Sequence, residues 1–162
     1  MSRRATVAEL IERFDLEPLP EEGGLFRQMW AGDADETGRP AGTAIIVLLA
    51  TDGGHFSAMH RLPIDEVWFF QLGDAIELLL LHADGSTSVE RLGPDVLAGE
   101  DLQVVVEAGT WMGARVAPGG EWSLFATTMA PGFATQDYEG GDPDLLAGAW
   151  PDRADLVRAL CR

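Results

Sequence analysis

The stretch Gly54–Gly73, which reads GHFSAMHRLPIDEVWFFQLG, contains the pattern that decides the fold. His60 lies six residues after Gly54, and Glu66 lies six residues after His60 and seven before Gly73. This spacing predicts a β-strand, a turn and a second β-strand. Because side chains alternate between the two faces of a strand, His60 and Glu66 are expected to point inward and to meet inside a β-barrel.

The surrounding sequence, from residue 43 to residue 129, consists of short β-rich runs of five to eight residues. The turns between these runs are rich in Gly, Asp and Pro, as in Asp52-Gly53-Gly54, Gly73-Asp74 and Pro118-Gly119-Gly120. Many short strands at this spacing predict an all-β sandwich or barrel. The clearest hairpin joins residues 76–83 to residues 86–92, and Asp84-Gly85 is expected to supply the positive-φ positions of a tight turn.

Helices are predicted at both ends of this β-rich core. Residues 6–14 place apolar side chains on one helical face, and Thr6 with Glu9 forms a capping box. Residues 142–161 are predicted to be helical, with caps at Asp142 and Asp152. We expect these helices to pack on the outside of the barrel.

Length and charge restrict the class of protein. The 162 residues are 46% apolar, which fits a single domain over residues 1–162. The formal charge of −16 argues against nucleic acids and anionic membranes as partners. All 11 basic residues are Arg, so Schiff-base chemistry and a P-loop lysine are excluded.

The cysteine content and the apolar runs bear on localisation. Cys161 has no second cysteine with which to form an intramolecular disulfide. The longest apolar runs, such as residues 43–50 and 76–81, are far shorter than the roughly 18 residues that span a bilayer. Glu9 and Glu12 follow Arg3 and Arg4 where a signal peptide would be apolar. We therefore expect a cytoplasmic protein that does not bind membranes.

Further short motifs lie along almost the whole chain, on both sides of the opening stretch. They are Glu22-Gly23-Gly24-Leu25-Phe26-Arg27, Thr43-Ala44-Ile45, Ser57 with His60-Arg61, Asp65-Glu66-Val67-Trp68, Leu92-Gly93-Pro94-Asp95, Gly99-Glu100 with Gln103, Ala108-Gly109-Thr110-Trp111, Ala130-Pro131-Gly132-Phe133 and Trp150-Pro151. In this order they resemble the cupin 5 family, a cupin-type domain of unknown function. The resemblance implies a double-stranded β-helix, the jelly-roll-like barrel of cupins, and a homodimer.

The sequence departs from the cupin pattern at the positions of the usual metal ligands. Leu62 stands where the first cupin motif has its second His, and Met112 stands near the position of the last His. Zinc or iron catalysis ordinarily needs about three protein ligands. We therefore predict no metal cofactor; a divalent metal, if bound, would be held by His60, Glu66 and Gln103.

The predicted pocket combines acid–base groups with aromatic walls. His60 and Glu66 are the candidate catalytic residues, because a carboxyl group in an apolar barrel tends toward a raised pKa. Strand alternation from Glu66 adds Trp68 and Phe70 to its face, and alternation from Gln103 adds Val105.

Two further ligand-binding candidates are suggested by the family motifs. Arg27, in the Gly-pair motif, could reach an anionic group at the barrel mouth, and Trp111 completes the candidate set. Core packing for the aromatic residues, a structural His60–Glu66 pair and an exposed salt bridge for Arg27 remain open alternatives.

Three functions are compatible with these residues. The first is a metal-independent isomerase, epimerase or cyclase acting on a small polar metabolite, such as a sugar or a sugar nucleotide. The second is a non-catalytic small-molecule binding module. The third is a metal-dependent lyase or dioxygenase, which would need Gln103 or His55 to complete a site with His60 and Glu66.

Overall fold

The computed structural model describes residues 3–162, which form two antiparallel sheets with short helices at either end of the chain. The strands are β1 (Glu17–Pro18), β2 (Leu25–Ala31), β3 (Thr43–Ala50), β4 (Ser57–Arg61), β5 (Glu66–Gly73), β6 (Ile76–Leu81), β7 (Thr87–Leu92), β8 (Gln103–Val106), β9 (Trp111–Val116), β10 (Trp122–Met129) and β11 (Glu139–Gly140). The helices are α1 (Val7–Phe14), α2 (Pro143–Ala149) and α3 (Ala154–Ala159), and 3-10 turns cover Val96–Ala98, Thr135–Asp137 and Pro151–Arg153. The predicted all-β class with terminal helices is confirmed.

The two sheets face each other across an apolar core. The six-stranded sheet has the order β1-β2-β3-β10-β5-β8, and the five-stranded sheet has the order β11-β4-β9-β6-β7. The core side chains alternate with outward ones along the strands and include Val47, Leu49, Trp68, Ile76, Leu78 and Phe125. Strands β2 and β11 extend the sheets beyond the predicted core of residues 43–129, and β2 contributes to the site described below.

The hairpin of β6 and β7 is shorter than predicted. Ile76 pairs with Leu92 and Leu81 pairs with Thr87, so both strands end before the predicted turn. The connection is closed by the amide of His82, which donates to the Ser86 carbonyl, and within the loop only Gly85 has a positive φ, of 89°. The prediction that Asp84 shares that conformation was wrong, because the longer loop needs a single left-handed residue.

The terminal helices cover the outer faces of the sheets. Thr6 and Glu9 form the predicted capping box of α1, and α1 buries Leu10 against the six-stranded sheet. The side chain of Asp142 accepts hydrogen bonds from two amides of α2, as predicted. The predicted cap at Asp152 was wrong, because Asp152 lies within a 3-10 turn that runs directly into α3.

Candidate functional site

A cavity of about 320 Å³ opens over the inner face of the six-stranded sheet, at one end of its strands. Strands β2, β3, β5 and β10 form its floor, and the segments 19–22 and 133–138 cover it. On each of these strands, every second residue lines the cavity: Thr43 and Ile45 do so on β3, and Thr127 and Met129 do so on β10. Strand alternation therefore aims one side chain in two into this space.

Glu66 is a buried carboxyl group in the wall of the cavity, at the first residue of β5. The indole Nε1 of Trp68 donates a hydrogen bond of 2.9 Å to its Oε2, and the Thr127 hydroxyl donates a second hydrogen bond to the carboxyl group. Burial raises the pKa of Glu66 to about 7, with a further contribution from the Glu22 carboxylate. His60 and the two hydrogen bonds oppose this rise only in part.

His60 on β4 lies directly behind the cavity and is only 1% exposed. Its Nδ1 donates a hydrogen bond of 2.7 Å to the carbonyl of Ala58, because a carbonyl can only accept. Its Nε2 lies 3.8 Å from Oε1 of Glu22, and its ring stacks on Tyr138 at a centroid distance of 5.4 Å. His60 is not part of the cavity lining, whereas Glu22 and Tyr138 are.

Glu22 is a site residue that the sequence reasoning missed. Its Oε1 accepts a hydrogen bond of 2.9 Å from Ser57 Oγ, and its carbonyl accepts from the amide of Ala58. The next two residues, Gly23 and Gly24, have φ values of 91° and 78°, which only Gly adopts readily. These two residues turn the chain back across β4, and the acidic residue before a Gly pair was the signal that could have identified Glu22.

Tyr138 is the second site residue that was not predicted. Its ring separates His60 from the cavity opening and lines the same space as Glu21 and Glu22. Burial and these two carboxylates raise the pKa of Tyr138 to about 12. Its hydroxyl therefore stays protonated at neutral pH.

Two predicted ligand-binding aromatics belong to the core instead. Trp68 is completely buried and stacks on Phe125, with ring centroids 4.6 Å apart and an interplanar angle of 7°. Phe70 is half-buried and packs against the same core, away from the cavity. Trp68 therefore contributes to the site indirectly, through its hydrogen bond to Glu66.

Two other predicted ligand-binding residues, Arg27 and Trp111, face away from the cavity. Because Phe26 and Gln28 line it, Arg27 between them points outward, where it pairs with Asp15 at 2.6 Å. Trp111 lies under the guanidinium of Arg61, 4.7 Å from the ring centroid. The expected positions of Arg27 and Trp111 at the cavity were therefore wrong.

The expected position of Gln103 was also wrong. Strand β8 pairs with β5 so that Val106 lies opposite Glu66 and Gln103 lies opposite Phe69. This register places Gln103 and Val105 on the solvent side of the sheet, where both are exposed. Gln103 therefore does not join Glu66 at the cavity.

The donor set does not fit the metal centre that cupins commonly use. Leu62 lines the cavity and Met112 lies opposite His60 on β9, and both side chains are apolar. Within residues 3–162, no three His, Cys, Asp or Glu side chains are grouped so that they could hold a metal ion. With Gln103 facing solvent, the three residues expected to hold a metal do not converge on one point.

The comparisons with known proteins agree with this architecture. Residues 8–140 match the family model described as "Cupin superfamily (DUF985)". None of the curated proteins matches the sequence significantly. In the described part of the chain, residues 3–162, no helix is long and apolar enough to cross a membrane.

Several solved structures are similar over nearly the whole chain. A structural-genomics protein from Shewanella oneidensis is 29% identical with a TM-score of 0.89, covering 98% of this chain and 99% of its own. A hypothetical protein from Leishmania major is 27% identical with a TM-score of 0.86, covering 97% and 99%. A cupin 2 domain-containing protein from Halorhodospira halophila, at 18% identity and a TM-score of 0.59 over 86% and 85%, shares the fold.

Proposed function

This chain belongs to the cupin family described as "Cupin superfamily (DUF985)", and from that premise we propose that it is a metal-independent isomerase or epimerase of a small polar metabolite. The observation that carries the proposal is Glu66, a buried carboxyl group that faces a cavity large enough for a small ligand. With a pKa of about 7, Glu66 is present in both protonation states near neutrality. A group with such a pKa can both accept and return a proton.

In the proposed reaction, ionised Glu66 removes a proton from a carbon next to a carbonyl group of the substrate. The electron pair of the broken C–H bond moves into the carbonyl to form an enolate. When the enolate turns its other face toward Glu66, the carboxyl group returns the proton to the same carbon, and the net change is an epimerisation. Where that carbon carries a hydroxyl group, the proton instead returns to the former carbonyl carbon while the hydroxyl proton passes to the former carbonyl oxygen, and the net change is an isomerisation. Attack of the enolate carbon on a second carbonyl group of the same substrate, with the Glu66 proton passing to the new alkoxide, would close a ring and make the protein a cyclase.

His60 has a positioning role in this scheme. It is separated from the cavity by Glu22 and Tyr138, and its Nδ1 is held by the Ala58 carbonyl. The nearby imidazole opposes the rise in the pKa of Glu66. His60 therefore acts on the substrate only through Glu22, Tyr138 and the field at Glu66.

The charges of the lining narrow the substrate class. Glu21, Glu22 and Glu66 line the cavity, and none of the basic residues within 3–162 does. A diphosphate would be repelled by these carboxylates and would find no guanidinium to bind it. Small polar metabolites therefore remain the proposed substrate class, whereas the diphosphate of a sugar nucleotide does not fit the negative charge of this lining.

A non-catalytic binding module is the second candidate. It is favoured by the position of His60, which leaves carboxyl groups as the charged groups in the lining. In this case the cavity would hold its ligand without proton transfer. Ligand binding and exchange of a substrate proton can be measured in separate experiments.

The decisive experiment follows proton exchange. Neutral and basic metabolites are screened by thermal shift, and each ligand found is incubated with the protein in D₂O and followed by ¹H NMR. We expect deuterium to enter one C–H position with wild-type protein and with the control Glu36→Gln, whose exposed carboxylate lies outside the cavity. Glu66→Gln, at a ligand concentration that saturates it by thermal shift, should bind the ligand without exchange.

Two results would contradict the enzymatic proposal. Equal exchange in wild type and Glu66→Gln would remove Glu66 from the reaction. Binding in wild type without any exchange would favour the binding module.

We also propose that the protein is a cytoplasmic homodimer. The support for the dimer is the edge strand β8 with the loop before it, where Leu97, Leu102 and Val105 are exposed. A second copy of this strand would cover these side chains and satisfy the unpaired backbone of the edge. Light scattering should give twice the mass of 17.4 kDa for wild type and the monomer mass for Val105→Glu.

A further inference from the structure

The cavity has a strongly one-sided charge. Three carboxyl groups line it, from Glu21, Glu22 and Glu66, and among residues 3–162 no basic side chain does. Arg39 and Arg61, next to the covering segment, pair with Asp137 and Glu139, and Arg162 lies in a neighbouring surface pocket with Glu21 and Tyr138. The carboxyl groups of the lining therefore have no basic side chain beside them within the cavity itself.

The Glu22 carboxylate is held in the wall of the cavity by side chains behind it. Its Oε1 accepts a hydrogen bond of 2.9 Å from Ser57 Oγ and lies 3.8 Å from Nε2 of the buried His60. Among residues 3–162, no hydrogen bond is made to its second oxygen, Oε2. A carboxylate at the edge of a cavity is stabilised by a group that donates hydrogen bonds to it.

The remaining walls suit a cation with an apolar body. Phe26, Phe133 and Tyr138 line the cavity, and the face of an aromatic ring attracts a cation. Ile45 and Met129 add apolar surface from the floor. The volume of about 320 Å³ is at the low end of small-ligand pockets, so the apolar body must be compact.

We infer that the ligand of this cavity is a primary amine in its ammonium form, carried on a compact apolar or aromatic body. The ammonium group lies beside Glu22 and Glu66 and donates hydrogen bonds to their carboxylates, and the body lies against Phe26 and Phe133. This inference rests on the proposed function, since it concerns the same cavity, and it specifies the charge of the ligand.

The test uses three probes with the same ring and different charge: phenethylamine, 2-phenylethanol and phenylacetate. Affinities are measured by calorimetry at about pH 8, where Glu66 is mostly ionised. We expect phenethylamine to bind at least tenfold more tightly than 2-phenylethanol, and phenylacetate not to bind. An ammonium–carboxylate hydrogen bond of about 1.5–3 kcal/mol corresponds to this tenfold change or more.

Charge-removing variants identify the carboxylates responsible. Glu22→Gln keeps an oxygen that can accept from Ser57, and Glu21→Gln changes an exposed loop residue, so neither should prevent folding. Each is expected to weaken phenethylamine binding severalfold while leaving 2-phenylethanol unchanged. The control Glu36→Gln lowers the net charge equally, outside the cavity, and should change neither affinity.

The outcomes separate this inference from the proposed function. Equal affinity for phenethylamine and 2-phenylethanol, or an equal loss in Glu36→Gln, would overturn the ammonium inference and leave the proton-transfer proposal standing. Absence of phenethylamine binding would also overturn it. Loss of deuterium exchange in Glu66→Gln tests the proposed function independently of these probes.

Discussion

The two ends of the six-stranded sheet differ sharply, although the same strands build both. At one end, Thr43, Met129 and Glu66 lie side by side across β3, β10 and β5 and face the cavity; we call these three the cavity row. Further along, Val47, Phe125 and Phe70 form the equivalent packed row, which faces the core. One row borders an empty space with a carboxyl group, and the other is filled with apolar side chains.

This difference shows how the fold separates stability from function. Close packing and apolar burial stabilise the fold at the packed row. A buried carboxyl group beside a void costs free energy when it is charged, as the raised pKa of Glu66 shows. Trp68 lies between the rows, stacking on Phe125 and donating to Glu66, and so connects the two ends.

The packed row should give the largest loss of stability. Phe125→Ala removes a completely buried ring that stacks on Trp68, and a cavity remains in the core. We expect the free energy of unfolding to fall by about 3–5 kcal/mol, measured by urea denaturation. Phe125→Leu, which keeps most of the volume, is the control and should lose much less. A loss below about 1 kcal/mol in Phe125→Ala would show that the two rows are not energetically distinct.

A substitution in the cavity row should have the opposite effect on stability, which is a gain relative to wild type as the pH rises. The pKa of Glu66 is raised from 4.5 to about 7 in the folded protein, so the folded state holds this proton more tightly than the unfolded state does. The associated stabilisation is complete below about pH 4.5 and is lost as the pH rises through about 7. Glu66→Gln cannot ionise, and its stability relative to wild type should rise by at most about 3 kcal/mol between pH 4 and pH 8.

Chemical denaturation across this pH range measures the effect. The groups that face Glu66 are Glu22 from the covering loop, His60 from β4, Trp68 on its own strand and Thr127 from β10. The control Glu36→Gln should follow the wild-type profile. A constant difference between Glu66→Gln and wild type at all pH values would contradict a raised pKa.

Trp68 connects the two rows, and Trp68→Phe should change both the pKa of Glu66 and the stability of the fold. This change keeps a ring next to Phe125 but removes the donor to Glu66 Oε2. Because that hydrogen bond lowers the pKa of Glu66, its removal should raise the pKa further, and stability should fall by about 1–2 kcal/mol. Carboxyl ¹³C NMR titration reports the pKa directly, and an unchanged titration midpoint would mean that Trp68 does not tune the site.

The smallest effect is expected outside both rows. Arg27→Gln breaks an exposed ion pair with Asp15 on the outer face of β2. Such pairs contribute between about 0 and 1 kcal/mol, and the side chain faces away from the cavity. Stability and phenethylamine affinity should therefore stay close to wild type, and a severalfold loss of affinity would place Arg27 at the ligand after all.

Much of the fold follows from local signals. The alternation in Gly54–Gly73 predicts strands at β4 and β5, and Glu66 does face the interior. Thr6 and Asp142 cap helices because their side chains accept from nearby amides. These features depend on residues close together in the chain, which is the range over which sequence patterns are informative.

The site itself was only partly predictable. Glu22 and Tyr138 reach His60 from segments far away in the sequence, and no local pattern connects them. The amide oxygen of Gln103 could ligate a metal or a small molecule. Which face of the sheet its side chain occupies depends on how β8 aligns with β5, and a shift of one residue would reverse that face. Residue type alone therefore identified candidates without locating them.

The sequence by itself determined most of the strands, the caps at Thr6 and Asp142 and the negative charge of this protein, because each depends on backbone preference or on composition. Only the tertiary structure decided which side chains share the cavity and that the Glu22 carboxylate adds to burial in raising the pKa of Glu66 to about 7. The physical reason is that strand register and burial are set by long-range packing: the desolvation of Glu66 and the approach of Glu22 exist only once the covering loop closes over the sheet.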